Sequence, residues 1–392
     1  MNIVLGICGS IAAYKAIEVA KLLIKNEYNV DIVLSKSAIN FLSPLTLNSL
    51  FPKKVFLSGD DLGSEDEMLH IVLAKKADIV LISPCSANMI AKLANGDCSC
   101  LLTSLCVVTK AKIVIAPAMN VAMWENSIVQ SNISKLKAHG VFVINPESGV
   151  QACGDDGIGR MPEPINIIEY VDCIDLIKID LLKDKKILVT AGATKEKIDP
   201  VRFISNYSSG KMGYSIAKAA QMLGAEVVLI SGQTCLNTPN NFEVITVEST
   251  QQMLDVCLNK AQNCDAFIAA AAVADYKLIT LHLEKIKKTS NYLNLKFEEN
   301  PDIVFTIKKT FPNLFCLGFA AETNNHINYG KQKLKTKNLD AIAINDISDG
   351  EIFNNDYNEL IIITKNNENI AIKKNKKIHV AFELLSYIAN VI

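Results

Sequence analysis

Arginine is almost missing from this 392-residue chain, in which Arg160 and Arg202 are the only two. The chain is instead rich in Lys, Asn and Ile, a bias under which surface arginine becomes lysine at little cost. The two that remain draw attention, because an ammonium does not replace a planar, bidentate fork. Net charge is also nearly absent, at −1, which removes the electrostatic case for binding nucleic acid or an anionic membrane. Any phosphate must then be met by basic residues acting locally. The 11 cysteines contain no C-x-x-C; the closest pair is Cys98 and Cys100, no histidines gather beside it, and a zinc site is not expected. Scattered thiols with apolar neighbours fit a reducing, cytoplasmic setting. No run of about 18 apolar residues occurs, so no membrane-spanning helix is expected. The segment from Met1 to Leu23 lacks a basic start and is interrupted by Lys15 and Glu18, which reads as a strand and a helix rather than a secretion signal.

What is present is core-forming material, 49% hydrophobic, in a chain too long for one core. Short apolar runs alternate with helical periodicity. Asn2–Ile7, Asn29–Leu34, Asp78–Ile82, Lys112–Ile115 and Val141–Ile144 read as buried strands, and Ala12–Lys25 as a helix between the first two. The pattern restarts at Lys185–Ala191 and continues through Ala225–Ile230, Phe242–Val247, Ala266–Ala270, Phe315–Phe319 and Ala341–Ile344. A tail from Glu359 reads as strand, Lys/Asn-rich turn, short strand and closing helix. The expected fold class is α/β, with two doubly wound parallel-sheet domains spanning 1–183 and 184–392.

In the first half no G-x-G-x-x-G follows the opening strand, so a dinucleotide fingerprint is absent. Gly9-Ser10 still offers a hydroxyl and backbone N–H groups to one phosphate, as in a mononucleotide; a plain strand-to-helix turn reads equally well there. Ser35 stands at a similar position after the second strand. Three more segments follow strands or turns. They are Ser83-Pro84-Cys85-Ser86-Ala87-Asn88, Pro117-Ala118-Met119-Asn120-Val121-Ala122-Met123-Trp124, and Cys153 to Gly157-Ile158-Gly159-Arg160-Met161-Pro162-Glu163-Pro164. Open α/β sheets bind ligands at such strand ends.

These strings resemble the FMN-dependent phosphopantothenoylcysteine decarboxylases. The resemblance implies a flavodoxin-like flavoprotein with FMN near Gly9, Ser10, Ser35, Ser86 and Asn88. Cys153 is implied as proton donor, His70 as assisting thiol oxidation, Asn120 as holding the substrate carboxylate, and Arg160 as a substrate contact. Taken alone, His70 beside Met68, Leu69 and Ile71 reads better as a structural histidine. The chemistry asks for a flavin because direct loss of carbon dioxide from a cysteinyl amide leaves an unstabilised carbanion. Oxidising the thiol to a thioaldehyde first provides an electron sink, and a hydride and a proton then return. In one departure, Ser99-Cys100 stand where the family has Asp-Asn before Leu-Leu.

In the second half, Gly210-Lys211 fails as a P-loop, since Met212 takes the Ser/Thr position and no upstream Gly has the required spacing. The full stretch from Ile198 through Arg202, Asn206 and Gly213 resembles the ligase half of the same bifunctional coenzyme A biosynthesis family. So do Ala269-Ala270-Ala271 to Asp275, Lys285-Ile286-Lys287-Lys288, Asn300-Pro301-Asp302-Ile303-Val304, Gly318 to Thr323, and Lys333 with Lys337. On its own the lysine run is a solvated face. The resemblance implies a Rossmann-like ligase that joins cysteine to phosphopantothenate through an acyl-cytidylate. CTP is expected among Ala269, Ala270, Ala271, Asp275, Lys285, Pro301, Asp302, Ile303, Val304, Phe319, Lys333 and Lys337. Asn206 is implied in acyl transfer with Arg202 on the substrate, and Mg²⁺ accompanies the triphosphate, with Asp275 as a candidate ligand. Trimers through the first half and dimers through the second, building a dodecamer, are also implied. Two other readings stay open: a flavoprotein that acts on a peptide cysteine or prenylates flavin, and a protein that keeps the fold with decayed sites.

Overall fold

The structure, a computed structural model, describes residues 1–53, 55–57, 68–239, 241–287, 293–322, 326–346 and 355–392. Lys288 and Thr323, which belong to the lysine run and to the string from Gly318, lie outside those residues. The chain divides into two compact units, Met1–Asp175 and Leu176–Ile392. The division falls a few residues before the expected boundary after 183. Residues 176–184 pack with the second half, where the Leu182 N–H donates to the Leu223 carbonyl at 2.8 Å.

The first unit contains strands β1 (Asn2–Ile7), β2 (Asn29–Leu34), β3 (Phe56–Leu57), β4 (Ile79–Cys85), β5 (Lys112–Pro117), β6 (Phe142–Val143), β7 (Glu147–Val150) and β8 (Asp156–Arg160). Its helices are α1 (Lys15–Lys25), α2 (Pro44–Leu50), α3 (Leu69–Lys76), α4 (Ala87–Ala94), α5 (Leu101–Val108), α6 (Val121–Trp124), α7 (Ser127–Ala138) and α8 (Pro164–Asp172). Six strands form a parallel sheet in the order β3-β2-β1-β4-β5-β6. Strands such as Ile79–Cys85 are buried along their whole length, which is why they read as apolar runs without alternation. Without the two-residue edge strand β3, the order is that of flavodoxin. The switch point lies between β1 and β4, so their carboxyl ends open a crevice. β4 runs past its expected end because Cys85 still pairs with Pro117 after a register shift. The expected helix from Ala12 begins as a 3₁₀ turn at Ile11–Tyr14 before α1.

The second unit holds β9 (Lys186–Ala191), β10 (Lys195–Lys197), β11 (Phe203–Ser205), β12 (Glu226–Ser231), β13 (Glu243–Thr246), β14 (Ala266–Ala269), β15 (Tyr276–Leu278), β16 (Phe297–Glu299), β17 (Phe315–Glu322), β18 (Ala341–Asp346), β19 (Tyr357–Thr364) and β20 (Asn369–Lys376). Its helices are α9 (Lys211–Met222), α10 (Thr250–Ala261), α11 (Ile303–Thr310), α12 (His326–Thr336) and α13 (Lys377–Ile388). The sheet order is β13-β12-β9-β14-β17-β18-β19-β20. The first six strands are parallel in the Rossmann order, and the tail adds an antiparallel hairpin at one edge. Gly213 lets α9 close onto β9, since a Cβ there would meet the Ala191 Cβ at 2.5 Å. Three two-stranded pairs escaped the sequence reading, β7–β8, β10–β11 and β15–β16. Each is short and largely exposed, so it carries no hydrophobic period. Among the described residues no helix is long and apolar enough to cross a membrane.

Candidate functional site

In the first unit the expected flavin residues converge at the switch point. Ser10 Oγ accepts the Ala12 N–H at 3.2 Å and so starts the turn into α1. The Cys8 N–H donates to the Pro84 carbonyl at 3.2 Å, which ties the ends of β1 and β4 together. A Cβ on Gly9 would lie 2.7 Å from the Ser37 Cβ, so the bare backbone lets the β1 and β2 loops meet. Ser35 is buried there and accepts the Ala38 N–H at 3.3 Å. Ser86 caps α4 through the Met89 N–H at 3.3 Å, and Asn88 is exposed in the first turn of that helix. Hydroxyls and backbone N–H groups around a bare-backbone cradle fit a phosphate, so the residues present fit FMN. Burial pushes the Cys8 thiol up to about 12, which keeps it neutral beside that cradle. In the departing segment, Ser99 Oγ donates to Asp97 at 2.5 Å and Cys100 opens α5.

The β7–β8 hairpin brings a second group together. Asn120 caps α6 by accepting the Ala122 N–H at 2.9 Å. Its Nδ2 reaches Cys153 Sγ at 3.1 Å and Asp155 Oδ2 at 2.6 Å. The Cys153 thiol donates to the same Asp155 oxygen at 3.4 Å. The Asn120 amide, then the thiol, hold the Asp155 carboxyl below the usual carboxylate range. The hairpin is fixed to the sheet by the Met119 N–H, which donates to the Gly159 carbonyl at 2.9 Å. Gly159 has φ +151° and a Cβ there would lie 2.4 Å from the Met119 carbonyl oxygen, so this crossing requires glycine. Gln151 Oε1 accepts the Val121 N–H at 3.1 Å, while its buried Nε2 has no partner. Arg160 lies across Gly149 with its guanidinium 4.0 Å from Glu163. His70 is in the first turn of α3, half-buried, and no described hydrogen bond joins it to Asn120 or Cys153.

In the second unit, segments far apart in sequence meet at the carboxyl ends of β9 and β14. Asn206 Nδ2 donates to the Val273 carbonyl at 2.8 Å, placing it beside the Ala269–Asp275 string. The Ala271 N–H donates to Thr190 Oγ1 at 3.3 Å. Beneath lies a polar knot in which Thr194 Oγ1 contacts Thr250 Oγ1 at 3.1 Å and accepts the Ala274 N–H at 2.8 Å. Asn300 Nδ2 joins it through the Ala274 carbonyl at 2.9 Å. Asp302 caps α11 through the Phe305 N–H at 3.0 Å and pairs with Lys337 at 2.8 Å. Ile303 and Val304 have buried side chains in the core, so only their backbone can face a nucleotide. Phe319 is half-buried in β17, Lys333 is on α12, and Lys285 is exposed. Arg202, expected on the substrate, engages Asp199 at 2.9 Å and the Ile286 carbonyl at 3.4 Å. Among the described residues no three His, Cys, Asp or Glu side chains converge as for a metal ion, and Asp275 is an isolated exposed carboxylate. Asp155 and Asp199 had no role in the sequence reading, because an isolated aspartate carries no signal until its partners are placed.

Comparison with known proteins agrees with this division. The Flavoprotein family matches residues 1–176, and the DNA/pantothenate metabolism flavoprotein C-terminal domain matches residues 182–392. The "Coenzyme A biosynthesis bifunctional protein CoaBC" of Haemophilus influenzae is 44% identical over 391 residues, 99% of this chain and 96% of that protein. Its counterpart in Escherichia coli K12 is 39% identical over 376 residues, 94% and 92% of the two chains. The crystal structure of the C-terminal domain of a CoaBC protein aligns at 40% identity with TM-score 0.47, covering 54% of this chain and 97% of that one. With both halves matched in order and nearly end to end, the chain belongs to the family of bifunctional coenzyme A biosynthesis proteins.

Proposed function

We propose that the second unit joins cysteine to 4′-phosphopantothenate at the expense of CTP, and that the first decarboxylates the product to 4′-phosphopantetheine with FMN. The observation that carries the first-unit reading is the Asn120–Cys153–Asp155 cluster beside the cradle at the switch point. FMN, when bound, supplies the oxidation and reduction of the cysteinyl carbon–sulfur unit. Gly9, Ser10, Ser35, Ser86 and Asn88 would hold it. Asn120 presents an amide N–H to the substrate carboxylate without adding charge, and Arg160 flanks the hairpin. Cys153 Sγ carries the proton delivered to the product carbon, and Asp155 holds that S–H in line. Met161 Sδ accepts the Ser83 hydroxyl at 3.8 Å. His70 is assigned to the oxidation half.

In the second unit the carboxylate of phosphopantothenate attacks the α-phosphorus of CTP and pyrophosphate leaves; the amine of cysteine then displaces CMP. Lys285, Lys333 and Lys337 offset the triphosphate charge. The small side chains of Ala269, Ala270 and Ala271 let the nucleotide approach the strand end. Pro301, Asp302, Ile303 and Val304 offer the α11 amino end, and Phe319 a wall. Asn206 acts in acyl transfer. Asp275 alone is not a complete cation site; it fits a Mg²⁺ ion held mainly by phosphate oxygens. Assembly into trimers and dimers of a dodecamer and a cytoplasmic location belong to the same reading.

The test is to record visible absorbance of the purified protein. Phosphopantothenate, cysteine, CTP and Mg²⁺ are then supplied and the products followed by mass. A yellow protein that forms phosphopantetheine, CMP and pyrophosphate is expected. A yellow protein without ligation would restrict the reading to the flavin half, and a colourless, inert but folded one would overturn it.

A further inference from the structure

Among its described residues, the lysine loop of the second unit has few anchors. Among the described residues, 281–287 is exposed except at half-buried Ile286. The His282 N–H donates to the Ile198 carbonyl at 3.3 Å. The other hold is on Ile286 itself, from both sides. Its N–H donates to Asp199 Oδ2 at 3.2 Å, and its carbonyl accepts from Arg202 Nη1 and Nη2 at 3.4 Å. The Asp199 side chain has no exposed surface, so its charge must be compensated internally. Oδ1 accepts the Val201 N–H at 2.8 Å and the Arg202 N–H at 2.9 Å, and Oδ2 accepts Arg202 Nη1 at 2.9 Å. Three of these donors are local. The fourth lies 87 residues away and belongs to the peptide flanked by Lys285 and Lys287.

We infer that Asp199 and Arg202 form a positioning clamp that presents Lys285 to the triphosphate. The inference rests on the CTP role proposed for Lys285. A buried carboxylate and a guanidinium suit this task because the fork can bridge a carboxylate and a carbonyl together. A lysine at position 202 would keep the charge and lose that bridge. One of the two arginines in the chain is thereby explained without a substrate contact.

The test uses the full chain and measures pyrophosphate release with CTP and phosphopantothenate varied separately. Asp199→Asn and Arg202→Lys should each raise KM for CTP by about tenfold, leaving KM for phosphopantothenate within about twofold. The double variant should be little worse than either alone, since both remove one unit. Cleavage by a lysine-specific protease after Lys285 and Lys287 should speed up in both. Decarboxylation of supplied phosphopantothenoylcysteine and thermal unfolding report whether each variant is folded. An unchanged KM for CTP with unchanged proteolysis in folded variants overturns the clamp. So does a raised KM for phosphopantothenate in Arg202→Lys, which would put that side chain on the substrate. Lys285→Gln is run alongside: if it leaves CTP turnover unchanged, the role of Lys285 fails, while proteolysis still decides whether the clamp holds the loop. If Asp199→Asn does not fold, Arg202→Lys carries the test on a partly exposed side chain.

Discussion

The two units build the same order of parallel strands yet hold their candidate site residues by different means. In the first, Asn120 at the start of α6 meets Cys153 and Asp155 of an exposed hairpin turn, across 35 residues or fewer. Backbone pairing and glycine hold it, with the Met119 N–H on the Gly159 carbonyl as the join. In the second, the lysine loop is held over 87 residues by a carboxylate with no exposed surface. A hairpin brings its own hydrogen-bonded partner, and its one buried carboxylate, Glu147 at the foot of β7, gathers the Glu163 N–H and Asn166 Nδ2 rather than a reactive segment. A loop without secondary structure must borrow an anchor, and a buried carboxylate offsets its desolvation by gathering several donors at once. One order of parallel strands can therefore carry different groups, because the segments at the strand ends differ.

That contrast can be broken most severely at Cys153. Cys153→Ser should lower phosphopantetheine formation by about a hundredfold or more, with CMP release unchanged, as measured by mass. Loss of both activities in a folded variant would show that the units do not work separately. Gly159→Ala sharpens the contrast next, because it strains the hairpin join without touching a reactive group. With φ +151° and the Met119 oxygen 2.4 Å from the new Cβ, it should cost on the order of 1–3 kcal/mol of local stability. Faster alkylation of Cys153 with unchanged CTP turnover is the expected readout. In the second unit, burial would raise the Asp199 carboxyl, but the N–H groups of Val201, Ile286 and Arg202 and the Arg202 charge outweigh it and hold it below its ordinary range. A folded value below the unfolded one means stabilisation that is present at neutral pH and lost as pH falls below about 4, through the folded value. Asp199→Asn should flatten the acid side of the unfolding profile of this unit in that window, seen by denaturant melts at stepped pH. An unchanged profile would deny the clamp its charge. The smallest effect is expected at Lys337, whose ion pair with Asp302 at 2.8 Å is partly exposed. Lys337→Gln should change stability by less than about 1 kcal/mol, so a weakened CTP dependence there would report binding rather than folding.

Most of the sheet was legible because parallel strands buried on both faces leave apolar runs in the sequence, as at Asn2–Ile7 and Lys186–Ala191. The edges were less so. β10, β11, β15 and β16 are three residues each, too short for any period. Candidate residues such as Asn120, Cys153, Asn206 and Lys285 could be named because their strings resemble those of the family; taken alone, a lysine run such as Lys285–Lys287 reads as a solvated face. Their companions could not. Asp155 became visible only when the hairpin placed it against Asn120, and the contact of Arg202 with the Ile286 carbonyl only when the fold brought the two together. Ile303 and Val304 belong to a matching string but face the core.

The sequence alone determined two α/β units, the strand ends that carry chemistry and the family to which both halves belong, because periodicity and short strings are local properties. Only the tertiary structure decided which charges meet. Whether a carboxylate is a ligand, a cap or a clamp depends on donors brought from distant positions and on the burial that makes an unpaired charge costly, and neither is written in any local stretch of chain.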